Sequence, residues 1–245
     1  LLVEHTTKFT GKGVKYHLVN DSESLDALIT KLETAKEICV DVETTSLKAF
    51  EAEIVGVGFS LKAKEAFYVP FNGELEVEEI KAKLTPLFNN EKLPFFGQNI
   101  KYDYEVLRSH GMTIAAINFD TLLASYVCNP SRLSHGIDAQ ALQYLNYQKI
   151  ETKGLIGTGK KQISMSEVPI ADVTNYCCED VDICLRLKKF YDKELKDRGM
   201  LKLYQNIELP LIKVLAHMEE AGISVDTDEL EAMSSVFEER INELT

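Results

Sequence analysis

The chain lacks any apolar run near the roughly 18 residues needed to cross a bilayer, and it opens with neither a basic nor an apolar leader segment. A membrane or secreted protein is therefore not expected, and a cytoplasmic location is. Internal repeats and low-complexity tracts are also missing, which excludes solenoid and array architectures. The five cysteines (Cys39, Cys128, Cys177, Cys178, Cys184) are odd in number and show no CxxC or Cys/His zinc spacing. They read as structural thiols of a reducing compartment. An excess of basic residues is lacking too, since the net charge is −12. Proteins that hold duplex nucleic acid neutralise phosphates with basic faces, so tight, sequence-independent duplex binding is not expected of this chain alone. What is present is enough for one good-sized core and a small helical appendage in 245 residues.

The segment Val40-Asp41-Val42-Glu43-Thr44 closes an apolar, β-prone run with two carboxylates two residues apart. Strand side chains alternate faces, so Asp41 and Glu43 point the same way. Two like charges held that close repel unless a cation sits between them. Alone, the pair reads equally well as a water-facing strand surface. Two later segments supply further acids. Phe95-Phe96-Gly97-Gln98-Asn99-Ile100-Lys101-Tyr102-Asp103 runs from a short strand through a turn into a helix ending near His110, which sets Asp103 in the first helical turn at the positive end of the dipole. Inside a long helical pattern from Ala171 to Arg198, Tyr176 and Asp180 are four apart and share a face, with Glu179 and Asp182 rotated away.

Apolar runs at Ile38 to Val42, Ile54 to Phe59 and Ala66 to Val69 predict a three-stranded meander, followed by a helix over Val77 to Phe88. A strand at Phe95, a helix from Tyr102, a strand near Ile117 to Asp120, and helices over Leu122 to Cys128 and Ile137 to Leu145 come next. The stretch Gly154-Leu155-Ile156-Gly157-Thr158-Gly159-Lys160-Lys161 nearly matches a nucleotide-phosphate loop, but Lys161 stands where a magnesium-binding Ser or Thr is required and no apolar strand leads into it. It reads as a Gly/Lys surface loop, with Lys160 and Lys161 exposed for contact with an anionic partner.

Asp-x-Glu on a first strand, Gly-Gln-Asn-x-Lys-Tyr-Asp at a helix start and Tyr-x-x-x-Asp on a later helix, in that order, resemble the three motifs of the 3′→5′ proofreading exonuclease domain of family A DNA polymerases. That domain belongs to the tyrosine branch of the DEDD exonucleases. The similarity runs from about Val14 to the C-terminus. Tyr204-Gln205-Asn206-Ile207-Glu208-Leu209-Pro210-Leu211, with Glu220-Ala221-Gly222-Ile223-Ser224-Val225-Asp226 beyond it, resembles the passage into the first helices of the polymerase domain. The resemblance implies an α/β fold, a ribonuclease H-like mixed sheet flanked by helices, with a C-terminal helical appendage. It divides the chain into a linker (1–13), an exonuclease domain (14–200) and the truncated start of a polymerase domain (201–245). With no starting Met and an end inside a helical pattern, the sequence is expected to be a fragment of a larger polymerase.

The implied activity is metal-dependent 3′→5′ hydrolysis of DNA during replication and repair, releasing nucleoside 5′-monophosphates. Two divalent ions about 4 Å apart serve the attacking water and the leaving oxygen in such reactions. Magnesium suits carboxylates without histidine, with Mn2+ or Zn2+ as substitutes. The resemblance assigns Asp41, Glu43 and Asp180 to the ion that activates the water, with Asp41 bridging, and Asp103 to the second ion through waters. Tyr176, with an ordinary phenol pKa of about 10, would orient the water. Leu47 matches a wedge between terminal bases, and Gln98, Asn99 and Tyr102 match the path of a single strand. Partners implied are a single-stranded or frayed DNA 3′ end and the polymerase domain of the same full-length chain, with a monomer as the default. Thr152 replaces an aromatic and Ser134 an arginine, with Arg132 close by, so DNA grip is expected to be looser. Two alternatives stand beside this reading: an RNA 3′-processing exonuclease, and a catalytically silent structural module.

Overall fold

The computed structural model describes residues 6–245, so residues 1–5 of the expected linker lie outside the described residues. The part of that linker that is described contains strand β1 (Thr7–Lys8), followed by β2 (Lys15–Leu18) and helix α1 (Ser22–Glu33). None of these elements is anticipated above. Two-residue strands carry no readable period, whereas α1 had a signal: Leu25, Leu28 and Leu32 are buried at helical spacing behind an Asp21 N-cap.

The meander appears where expected, as β3 (Ile38–Thr44), β4 (Ile54–Lys62) and β5 (Glu65–Pro70), joined in antiparallel pairs. It is followed by α2 (Val77–Phe88), β6 (Phe95–Gly97), α3 (Ile100–Ser109), β7 (Ile117–Asp120), α4 (Thr121–Cys128), α5 (Ile137–Leu145), β8 (Tyr147–Gln148) and α6 (Thr152–Ile156). The long helix is α7 (Ile170–Asp197), after which come α8 (Leu201–Leu203), a π-helical turn (Tyr204–Glu208), α9 (Leu209–Ala221) and α10 (Thr227–Leu244). The Gly/Lys stretch is not a plain loop, because it contains α6 and a 3-10 turn at Gly159–Lys161.

The main sheet has the order β2-β5-β4-β3-β6-β7, with β2–β5, β3–β6 and β6–β7 parallel. A second, two-stranded sheet pairs β1 with β8 in parallel. Apolar side chains of α1, α2 and α3 join Val40, Val42, Val57 and Phe95 in one core. Residues of α4, α5 and α7 join Cys39, Tyr68 and Phe96 in the other. With a core on both faces, β3 reads as a nearly continuous apolar run. The fold is thus a mixed sheet flanked by helices.

Two glycines make room beside the acids of β3, one for α7 and one for a tyrosine of β5. Gly56 and Gly58 on β4 pair with Glu43 and Asp41. A Cβ on Gly58 would lie 2.5 Å from the Cys177 sulfur, and one on Gly56 would lie 2.3 Å from the Tyr68 hydroxyl. Bare backbone at Gly58 therefore sets the depth at which α7 meets the acids of β3, and Gly56 leaves space for the Tyr68 ring. The C-terminal part is anchored by Tyr204, whose hydroxyl accepts from the Asp120 amide at 2.6 Å. Beyond it, no described residue from Gly222 to Thr245 is buried.

Candidate active site

Strand β3, helix α3 and helix α7 converge at the C-terminal end of the central strand. Asp41 and Glu43 share the face of β3 turned toward α7, Asp41 half-buried and Glu43 7% exposed. Asp103, 2% exposed in the first turn of α3, accepts the Val42 amide at 2.8 Å. This bond ties α3 to β3 between the two strand acids. From α7 come Tyr176 and Asp180, both buried, with Cys177 three residues before Asp180 on the same face. Oxygen or sulfur atoms of Asp41, Glu43 and Cys177 lie within 4.8 Å of one another. Asp180 acts electrostatically on Asp41, and Asp41 in turn acts on Asp103.

The entry into α3 is held from below. Asn99 takes a left-handed turn at φ 60, and its amide and that of Ile100 donate to Asp120 at 3.1 and 2.9 Å. Asp120 also caps α4 through the Leu122 and Leu123 amides. One buried carboxylate therefore orients the starts of two helices.

Burial is the main cause of every carboxyl shift here. It pushes Asp41 up to about 7, with the Asp180 charge adding to it and Lys149 opposing it. Glu43 rises well above the carboxylate range through burial and then Asp41 and Asp180. Asp103 rises through burial and then Asp41, against the Val42 amide, and Asp180 rises through burial against Lys149. Tyr176 is not an ordinary phenol: burial first and Asp180 second raise it above its usual range, which keeps it protonated. Its hydroxyl lies 2.7 Å from the Thr152 hydroxyl.

An oxygen-seeking divalent cation fits these residues. Glu43 Oε1 is buried with no hydrogen-bond partner, Asp41 repels Asp180, Glu43 and Asp103, and no histidine joins the ligand group among the described residues. The buried Cys177 thiol, raised well above its ordinary value by burial and the nearby acids, lies 4.0 Å from Asp41 as a weak donor. Burial and the nearby acids favour its thiol form over the thiolate.

The residues expected to meet substrate divide. Leu47, 96% exposed, lines a surface cleft with Phe50, Asn99, Lys101 and Tyr102. The Tyr102 hydroxyl is tied to Ser46 O and to Thr44 Oγ1. Gln98 is placed elsewhere: its amide nitrogen donates to His135 O at 3.0 Å, and its oxygen accepts from Thr121 and Gln140. Arg132 stacks over Tyr144 at 5.1 Å, and Ser134 accepts the Gly136 amide.

Two neighbours of the acids escape the motifs. Cys177 was legible from its three-residue spacing to Asp180. Lys149 was not, because it lies just past β8 with no periodic pattern around it. Its Nζ sits 2.8 Å from Asp180 Oδ1 and 3.2 Å from Asp138 Oδ1.

A family model described as 3′-5′ exonuclease matches residues 16–196. Over 238 residues the chain is 35% identical to DNA polymerase I of Pseudomonas aeruginosa, covering 93% of this chain and 26% of that protein. The chain thus spans about a quarter of the length of such curated relatives. The POL domain of Pol1 from M. smegmatis, in complex with DNA primer-template and dNTP, superposes with a TM-score of 0.76 at 23% identity, over 93% of this chain and 36% of that one. Escherichia coli RNase D, an exoribonuclease involved in structured RNA processing, superposes with a TM-score of 0.67 at 14% identity, over 84% and 51%. At such identities the two structural likenesses speak for the fold.

Proposed function

The chain belongs to the 3′-5′ exonuclease family carried by DNA polymerase I proteins, and on that premise we propose that it hydrolyses DNA from the 3′ end, releasing nucleoside 5′-monophosphates, as the proofreading module of a polymerase in DNA replication and repair. The observation that carries this reading is the convergence of Asp41, Glu43, Asp103, Asp180 and Tyr176 at the end of the central strand. Divalent metals belong to the chemistry of this family. Two such ions, Mg2+ first and Mn2+ or Zn2+ as substitutes, would be held by Asp41, Glu43, Asp103 and Asp180. When bound, they supply a water acidic enough to lose its proton near neutrality and positive charge for the leaving oxygen.

The chain's own side chains do the rest. Tyr176 keeps its proton, and Thr152 fixes its hydroxyl at 2.7 Å. The phenol therefore positions the attacking water and does not deprotonate it. Glu43 Oε1, free of protein donors, is available to the same water. At the mouth, the exposed Leu47 offers an apolar edge to the terminal base, with Asn99 and Tyr102 beside it in the cleft. Gln98 supports the turn that presents Asn99. Among the described residues no helix is long and apolar enough to cross a membrane; the site of action proposed is DNA in the cytoplasm, with the chain a monomer. We place the exonuclease unit over residues 14–200 and the start of the polymerase unit over 201–245. Exposed Leu211, Val214, Val236 and Phe237 would pack against the polymerase body of the full-length chain.

A 5′-labelled single-stranded DNA oligomer tests this, incubated with Mg2+, Mn2+ or chelator beside Asp41→Ala. The expected result is a ladder shortening from the 3′ end that requires metal and Asp41. A cooperatively folded chain that shortens nothing would instead be a silent structural module. The fold shared with RNase D makes an RNA oligomer the necessary second arm; faster loss of RNA overturns the DNA assignment.

A further inference from the structure

Lys149 is built into the site as firmly as the acids. Its side chain is 1% exposed, and its ammonium lies 4.3 Å from the centre of the Tyr176 ring as well as 2.8 Å from Asp180. The residues on either side are fixed by one helix α7 carboxylate, since Glu179 accepts from the Tyr147 side-chain hydroxyl at 2.5 Å and the Ile150 backbone amide at 2.7 Å. The pairing of β8 with β1 holds the same stretch from the other side. Beyond this close ion pair, neither Nζ nor Asp180 Oδ1 makes a hydrogen bond. A second partner is within reach, Asp138 Oδ1 at 3.2 Å, on a side chain 59% exposed in the first turn of α5. The ammonium therefore stands between a buried carboxylate of the metal-binding set and an accessible carboxylate outside it.

We propose that Lys149 is a tethered cation that competes with the divalent ion for Asp180, holding that carboxylate in the ion-free site and passing to Asp138 when the ion binds. The proposal rests on Asp180 being an ion ligand. Its physical basis is that a fixed positive charge beside a cation site opposes the ion in a poorly solvated place, while a nearby acceptor lowers the cost of moving aside.

Calorimetric titration of the chain with MnCl2 tests it without reference to activity. Lys149→Met keeps the length and removes the charge, and is expected to bind Mn2+ about tenfold more tightly, while Lys149→Arg, which keeps the charge, stays within about threefold of the parent. Asp138→Ala removes the alternative acceptor on the surface and is expected to weaken Mn2+ binding by about threefold, an effect that disappears in the Lys149→Met background. A folded Lys149→Met chain that binds Mn2+ equally or more weakly overturns the inference, and so does an Asp138→Ala effect of the same size in both backgrounds. A parent chain that takes up no Mn2+, or takes it up undiminished in Asp41→Ala, overturns the metal-centre reading and this inference with it.

Discussion

Glu179 and Asp180 are neighbours on α7, both buried, and their surroundings are opposite. Glu179 has each oxygen engaged, by the Tyr147 hydroxyl and the Ile150 amide. Asp182 is treated likewise, by the Tyr16 hydroxyl at 3.0 Å and the Lys64 amide at 2.7 Å. Asp120, at the end of β7, accepts four amides. On the other side of α7, Asp180 faces the Lys149 ammonium and the Tyr176 hydroxyl with no backbone amide to fasten it, and Glu43 has an oxygen with no partner. A buried carboxylate with its lone pairs filled fastens two elements together. One left with repelling neighbours and empty lone pairs weakens the fold until a cation arrives. The acids of one helix thus serve packing on one face and the reaction on the other, which is how a site lacking internal compensation can persist in a stable molecule.

The contrast breaks first at Asp41. Asp41→Asn is expected to reduce 3′ degradation by about 10³-fold or more and, measured in chelator, to raise the melting temperature by removing a repelling charge. A fall in melting temperature there would mean that Asp41 is a fastener after all. Asp120→Ala is expected to do the reverse kind of damage, costing about 3 kcal/mol in urea unfolding because four amides lose their acceptor. A cost under about 1 kcal/mol would show that water replaces the carboxylate and that its bonds fasten little.

Much of this was readable in advance, for reasons that are local. Alternation placed Asp41 and Glu43 on one face, the helix period did the same for Tyr176 and Asp180, and the Gly97 turn put Asp103 at a helix start. The meander and α2 followed from short apolar runs with clear punctuation. What stayed hidden depends on distant chain segments. Nothing in Glu179-Asp180-Val181-Asp182 says which acid will meet Tyr147 and which will meet Lys149, since those partners arrive from a stretch 29 to 32 residues away. Lys149 itself lies outside any periodic segment, so only the β1–β8 pairing and Glu179 explain where it points. The leucines of α1 were a legible signal, masked by the linker-like start before them.

The smallest expected effect separates the two kinds of acid by pH. Burial, then Asp180, lifts Asp41 to about 7 in the folded chain, against about 3.9 when unfolded. Between those values the folded form holds a proton that the unfolded form has released, so stability in chelator falls as pH rises from about 4 to about 7. Glu43, Asp103 and Asp180 are raised in the same direction. So are Asp120, to about 6, and Glu179, to about 7, both through burial first and against their hydrogen bonds. The fall with pH therefore belongs to both classes and cannot by itself tell them apart. Magnesium can, because it compensates only the acids that it touches. Melting curves recorded from about pH 5 to about pH 8 should fall less steeply with Mg2+ than with chelator, the two diverging by about 1 to 2 kcal/mol at the upper end. In Asp41→Asn most of that divergence should vanish. Parallel curves with and without Mg2+ in the parent chain would place all the buried acids in one class and remove the distinction on which the site rests.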